Sequence, residues 1–374
     1  MVSMVAVALL LSAAVDTSAP QQNGSYLLRT AALMEACRAD IPSMTPVAEI
    51  AAKKLADGGR LFASGDPGLV SEVSGRAGGF MMIRSLGDTK LQPNDVVMHF
   101  AMPGDTAAIP GGAIVFGGKP GQGESACYPG HADATGVSPR LAYAADAWIF
   151  TGELIAALTR IGKTPVLFES IGAYTGNARI VQYKSGEIAY HDNLTVPPVK
   201  AGELGNRFVD EITRMVKRVE SEERAKLDKA GAWAREARAK GGSLYMYSMG
   251  HIFPFEVEQT AIGSLFKSAV WNAGFHGAHP MDTYGPNDLA VHIGYQQPTD
   301  ILLRRARPAG ARVVYVTVRE DRDFVKDDGV IWIDPMWDWP DACVPMEGYD
   351  VPVLAASGLV NGAIAWEIYR LSNG

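Results

Sequence analysis

The sequence predicts an α/β protein made of two tandem three-layer α/β/α sandwiches with parallel sheets. Three observations carry this expectation. Strand and helix patterns alternate, the strands are near-continuous apolar runs, and one ordered set of motifs occurs twice. Strands apolar on both faces belong to sheets covered on both sides, and alternation with helices is the pattern of parallel sheets joined by crossovers. An internal repeat decides the architecture, so its motifs come first.

The first motif is a helix ending in Gly-Gly, an apolar strand and a glycine turn. It reads AAKKLADGGRLFASG at residues 51–65 and AREARAKGGSLYMYSMG at residues 234–250. Gly58-Gly59 and Gly241-Gly242 fit helix C-caps, where a left-handed residue is needed. The strand reads as two residues longer in the second copy. The second motif is Pro93-Asn94-Asp95, repeated as Pro286-Asn287-Asp288, with His99 and His292 at one spacing beyond them. Each copy reads as a turn feeding a buried strand that delivers a polar loop at its carboxyl end. Ungapped counting carries Thr106 onto Thr299. The third motif pairs Val196-Pro197, Gly202 and Glu211-Ile212 with Val351-Pro352, Gly358 and Glu367-Ile368, a short strand running into an amphipathic helix.

Between the motifs, residues 151–161 and 300–309 read as helix, and residues 165–169 and 312–317 as strand. The proline-free stretch 203–240 reads as helix that ends one unit and begins the next. The units are therefore 25–215 and 216–374. Residues 110–139 are the main irregular segment, within which GGAIVFGG fits a further strand. Residues 271–284 form a second insertion.

Composition suits this picture. The 374 residues are 47% hydrophobic and 20% charged, enough for two ordinary cores. A formal net charge of −7 lacks the basic footprint of a nucleic-acid partner. Cys37, Cys127 and Cys343 are far apart and read as small buried hydrophobes. Residues 1–20 contain an apolar run too short to span a membrane and read as a candidate signal peptide, which implies export. No Lys or Arg precedes that run, and a buried N-terminal strand in a cytoplasmic protein is the other reading. No later segment reads as an integral membrane span. Phosphate-loop, dinucleotide, nucleophile-elbow and HExxH signatures are absent from the sequence, and no cofactor is expected.

FASGDPGLVSEVSGRAGG (residues 62–79) and LQPNDVVMHFAMPGDT (91–106) resemble the opening loop and the next strand-and-loop of sugar isomerase (SIS) domains. YSMGHIFPFEVE (247–258) and GPNDLAVHIGYQQPT (285–299) repeat both, and RPAGARVVYVT (307–317) resembles the following strand. The resemblance covers most of the chain after about residue 46, by pattern more than identity. It implies two flavodoxin-like, five-stranded parallel sheets, as in the isomerase half of glucosamine-6-phosphate synthase. It also implies a homodimer and a small carbohydrate derivative as partner.

The same resemblance implies ligand contacts at Ser64, Gly65, Asp66, Gly104, Asp105 and Thr106. In the second copy Ser248, Gly250 and Thr299 occupy the same places, Gln296 and Gln297 on the loop carry amides suited to sugar hydroxyls, and Ser357 is a candidate at the N-terminus of the last helix. The family's loop serines are replaced here, so a neutral sugar read by amides and hydroxyls stands beside a phosphosugar. For isomerisation, His251 is the acid–base candidate, and Glu72 or Glu258 the carboxylate moving a proton through an enediol. A non-catalytic carbohydrate sensor is an alternative. A metal enzyme using His276, His279 and Asp282 is another, although the favoured reading has no metal.

Overall fold

The computed structural model describes residues 24–374 except 120, 122, 172–175, 249, 271–282, 295–298 and 319–326. The candidate signal peptide and His276, His279, Asp282, Gln296 and Gln297 lie outside the described residues.

The chain opens with helices α1 (Tyr26–Arg38) and α2 (Ile41–Ala56) and enters a first sheet. That part contains β1 (Leu61–Gly65), α3 (Pro67–Val73), β2 (Arg84–Ser85), β3 (Val96–Ala101), β4 (Ile114–Gly117) and β5 (Ala126–Tyr128). Helices α4 (Ala132–Thr135), α5 (Pro139–Arg160), α6 (Gly176–Gln182), α7 (Glu203–Glu222) and α8 (Arg224–Ala239) follow. The second sheet contains β6 (Leu244–Ser248), α9 (Phe253–Glu258), α10 (Ala261–Leu265), β7 (Lys267–Val270), β8 (Leu289–Ile293), α11 (Thr299–Arg305), β9 (Arg312–Val316) and β10 (Val330–Ile333). The chain closes with β11 (Ala342–Val344), β12 (Val353–Ala355) and α12 (Ser357–Asn373).

Both large sheets are wholly parallel, in the orders β2-β1-β3-β4-β5 and β7-β6-β8-β9-β10. The winding is the same in each. The chain steps from the first strand to one edge, then returns on the other side. Each sheet therefore has a topological switch point, between β1 and β3 and between β6 and β8. Ligands of open parallel sheets lie outside the strand carboxyl ends at such points. The tandem parallel-sheet architecture is the one the sequence predicts.

The repeated Pro-Asn-Asp motif has a structural cause. Asp95 accepts from the backbone N–H groups of Arg60 at 3.0 Å and Gln92 at 2.8 Å. Asp288 does the same for Ser243 at 2.7 Å and Gly285 at 2.8 Å. Asn94 and Asn287 donate to the carbonyls of Asp57 and Lys240, which end α2 and α8. A Cβ on Gly59 would stand 1.9 Å from the Asn94 carbonyl oxygen, and one on Gly242 2.1 Å from that of Asn287. Each motif thus locks the end of a helix to the start of two neighbouring strands. Leu61 pairs opposite Val96, and Leu244 opposite Leu289, in one register.

Several local expectations change. β1 and β6 have equal length, so the added length of the second copy lies in the turn after Ser248 and not in the strand. Residues 165–169 join neither sheet: Pro165 and Leu167 make isolated bridges to Tyr190 and Phe80. No strand forms at Val196-Pro197, while β12 precedes α12. The irregular segment supplies β4 and β5. The crossover from β8 to β9 contains α11, whereas the one from β3 to β4 is loop. The outer face of the first sheet, with Phe62, Val97 and Val115, is therefore covered by Leu86, Leu91 and Ile109 of the loops. Leu302 and Ala306 cover the second.

Helix α5 is long and apolar enough to cross a membrane, yet residues 140–159 are all buried in the protein. It packs against α2, α3, α7 and β4. One apolar cluster runs from Tyr26 and Leu27 through Trp148 and Phe150 to Leu359 and Ile368, so both halves share a core. Asp146 lies inside it, its carboxyl beside the Cys37 thiol and without a stronger donor among the described residues. Burial pushes that carboxyl up to about 8, with the thiol opposing and Asp40 adding to the rise.

Asp95 and Asp146 should give stability opposite dependences on pH. The Arg60 guanidinium and the backbone donors hold Asp95 at about 2. Asp95→Ala should therefore cost about 2 kcal/mol above roughly pH 4 in urea unfolding. That difference should fade as pH drops toward about 2, because the depressed carboxyl stabilises only while ionised. Asp146 has the opposite sign. Wild type should lose stability relative to Asp146→Asn as pH rises from roughly 4 to 8, because the folded state holds a proton that the unfolded state releases. Parallel unfolding curves for wild type and Asp146→Asn across that range would exclude it.

Candidate functional site

The candidate site is the pair of switch points, one above each sheet. At the first, β1 ends in Gly65, where a Cβ would strike the Phe100 carbonyl oxygen at 2.0 Å. Asp66 follows as the N-cap of α3, its Oδ1 accepting from Leu69 N at 2.9 Å. Arg140, near the start of α5, donates to both Asp66 oxygens at 3.0 and 2.9 Å. It also donates to Glu256 at 3.3 Å and Gln259 at 2.8 Å. Arg140, Asp66 and Glu256 are buried. Asp66, expected as a ligand contact, is therefore a helix cap and an ion-pair partner inside the fold. Ser64 is bonded to His99 Nδ1 at 2.9 Å.

The first polar loop does not join this cluster. Gly104, Asp105 and Thr106 are exposed, and Asp105 accepts from Met102 N at 2.8 Å within its own turn. No helix follows Thr106, so it caps none.

Glu72 is fully buried on α3. Its Oε1 accepts from Trp148 Nε1 at 3.0 Å, and its Oε2 from Arg76 Nη1 and Ile252 N, both at 3.3 Å. Arg76 reaches on to Asp341 at 2.7 Å and Ser357 Oγ at 2.6 Å. Ser357 N donates to Asp341 Oδ1 at 2.8 Å. Burial raises the Glu72 carboxyl above its ordinary value, with Arg76 and Trp148 opposing. Gly358 is required here, because a Cβ would lie 2.2 Å from Glu72 Oε1. Glu72, Arg76 and Ser357 are thus brought together, in a buried clasp between the halves.

The second half repeats part of that clasp. Glu256, on α9, accepts from Trp366 Nε1 at 2.6 Å and from Arg140. Ser71-Glu72-Val73 matches Phe255-Glu256-Val257, and Ala145-Asp146-Ala147-Trp148 matches Ala363-Ile364-Ala365-Trp366. The counterpart of Glu72 is therefore Glu256 and not Glu258. Glu258 is exposed and accepts from Ser268 Oγ at 3.0 Å. Sequence reasoning misses both tryptophans and Arg140. The Ala-x-Ala-Trp repeat is the signal that marks the tryptophans.

The second switch point differs from the first. β6 ends in Ser248, whose hydroxyl is fully buried and has no hydrogen-bond partner among the described residues. Gly250 and His251 turn the chain with φ of +69° and +59°. Nδ1 of His251 donates to the Ser71 carbonyl at 3.1 Å. Burial and the nearby Arg76 guanidinium hold its imidazole well below the ordinary value, so it is neutral at pH 7. Thr299 is the first residue of α11, and its side chain lies outside the described residues.

No family model matches the chain, and no curated protein matches it. Solved structures do. The C-terminal domain of glucosamine-fructose-6-phosphate aminotransferase from Francisella tularensis is 11% identical with a TM-score of 0.48, covering 94% of this chain and 96% of that one. A "Putative sugar binding protein" from Salmonella typhimurium LT2 gives 10% and 0.49, over 93% of this chain and 98% of that one. A "putative phosphosugar isomerase" from Silicibacter pomeroyi DSS-3 gives 12% and 0.46, over 93% and 97%. These likenesses are too distant to carry a functional argument, which rests on the chain's own residues.

Arg140→Ala should destabilise by about 3–5 kcal/mol, since it strands two buried carboxylates. Thermal or urea unfolding reads this directly. A loss within ordinary surface values would show that Asp66 and Glu256 find other partners.

Proposed function

We propose that this protein binds a sugar or sugar phosphate over the carboxyl ends of β6 and β8. The single observation that carries the reading is the buried hydroxyl of Ser248 at the second switch point, which has no hydrogen-bond partner among the described residues. Buried polar groups are nearly always paired, and one without a partner calls for an explanation such as a missing guest. A hydroxyl that both donates and accepts suits a polyhydroxylated molecule. The resemblance of residues 247–258 and 285–299 to sugar-isomerase loops supports the same ligand class. The first switch point favours no guest, because the Arg140 guanidinium already occupies Asp66.

Binding is favoured over isomerisation. Isomerisation needs a base at the sugar's C1 or C2. Glu72 and Glu256 are buried and committed to indole, guanidinium and, for Glu72, backbone donors. Neither is free to take a substrate proton.

The test is a thermal-shift series with glucose 6-phosphate, fructose 6-phosphate, glucosamine 6-phosphate and the neutral parent sugars. At least one should raise the Tm of wild type. Ser248→Ala should weaken that ligand about tenfold while leaving the free protein as stable or about 1 kcal/mol more stable, because it removes an unpaired buried hydroxyl. Absence of any shift across the panel, or affinity unchanged in Ser248→Ala, overturns the reading.

A further inference from the structure

We infer that the first half of the chain sets the shape of the ligand loop in the second half, with Glu72 and Trp148 as positioning residues. This rests on the proposed site above β6. Residues 250–252 lie on the connection that leaves the carboxyl end of β6 and leads into α9, beside that switch point. Their backbone is not one the sequence favours by itself. Gly250 and His251 both lie in the left-handed region, and His251 has a Cβ that disfavours it. Such a conformation persists only where the surroundings over-determine it.

The surroundings that do so belong to the other half. Of the polar contacts on this loop, two come from α3: the Ser71 carbonyl accepts from His251 Nδ1, and the Glu72 carboxylate accepts from Ile252 N. Glu72 cannot shift to follow a different loop. Trp148 holds its Oε1 from α5, Arg76 holds its Oε2, and Gly358 closes against it. The chain of restraint therefore runs from the α5 indole, through a buried carboxylate, to an amide on the loop that follows Ser248. Each link is a directional hydrogen bond in a buried setting, where such bonds are strongest and misplacement is least tolerated.

The arrangement gives Glu72 a purpose other than acid–base chemistry.

The experiment uses the full chain and four variants: Glu72→Ala, Glu72→Gln, Trp148→Phe and, as a control, Val219→Ala in the core of α7. Fructose 6-phosphate or whichever panel sugar shifts wild type serves as the probe. Glu72→Ala and Trp148→Phe should weaken binding about tenfold and speed amide exchange in peptides spanning residues 245–256. Glu72→Gln keeps an acceptor oxygen and should recover most of both. Val219→Ala should lower Tm while leaving affinity and loop exchange unchanged. Should Glu72→Ala fail to fold, Trp148→Phe against Val219→Ala decides alone. Loop exchange and affinity that follow Tm alike in all variants would overturn the inference. If wild type binds nothing, the binding proposal fails separately, and loop exchange alone decides whether Glu72 and Trp148 position the loop.

Discussion

Two buried arginines hold the halves together, and everything above both sheets depends on them. Arg76 stands between Glu72 and Asp341, and Arg140 between Asp66 and Glu256. All six side chains are almost completely shielded from water. Each set carries one more carboxylate than guanidinium. Charges buried this way are costly unless every lone pair is met. The surplus is met by neutral donors: Trp148 and Ile252 N on Glu72, Trp366 on Glu256, Leu69 N on Asp66, Ser357 N on Asp341. The clasp is thus specified from four helices at once. It leaves little freedom in how α3 and α9, the helices that follow the two switch-point strands, can sit.

A doubled frame has been put to two different uses. Both sheets share winding, register and the Pro-Asn-Asp lock. Their carboxyl mouths do not share chemistry. In the first, an arginine from α5 pairs with Asp66, the residue that follows β1. In the second, no described side chain pairs with the hydroxyl of Ser248. The crossover helices differ in the same sense, since α11 is present only in the second sheet.

The legible part of this structure is the part encoded by local backbone demands. Gly59 and Gly242 must lack a side chain, Asn94 and Asn287 must cap a helix end, and Asp95 and Asp288 must gather two amides. These needs are short-range and identical in both copies, so they survive as a readable motif. The clasp is illegible for the opposite reason. Arg140 meets Asp66 across 74 positions and Glu256 across 116, and nothing in the intervening sequence marks the meeting. Counting from the turn glycine puts the second glutamate at Glu258, because the register equivalent of Gly65 is Ser248 and not Gly250. Alignment on Ser71-Glu72-Val73 finds Glu256 instead. Residues 165–169 resemble a strand because they are largely apolar. Their backbone pairs only through isolated bridges to Phe80 and Tyr190, so they add no strand to either sheet.

The physical contrast between Glu72 and Ser248 bears on what the molecule can do. Both are fully buried polar groups beside the same loop. Glu72 has a partner for each oxygen, and those partners fix its position. Ser248 has none among the described residues, so the folded protein bears the cost of a desolvated hydroxyl. Evolutionary pressure on stability alone would replace such a serine by alanine. A group that is expensive when the protein is empty and satisfied when a guest is bound lowers the free energy of the complex relative to the free form. In the proposed complex the fully satisfied carboxylate supplies rigidity, and the Ser248 hydroxyl is the contact at which that rigidity is aimed.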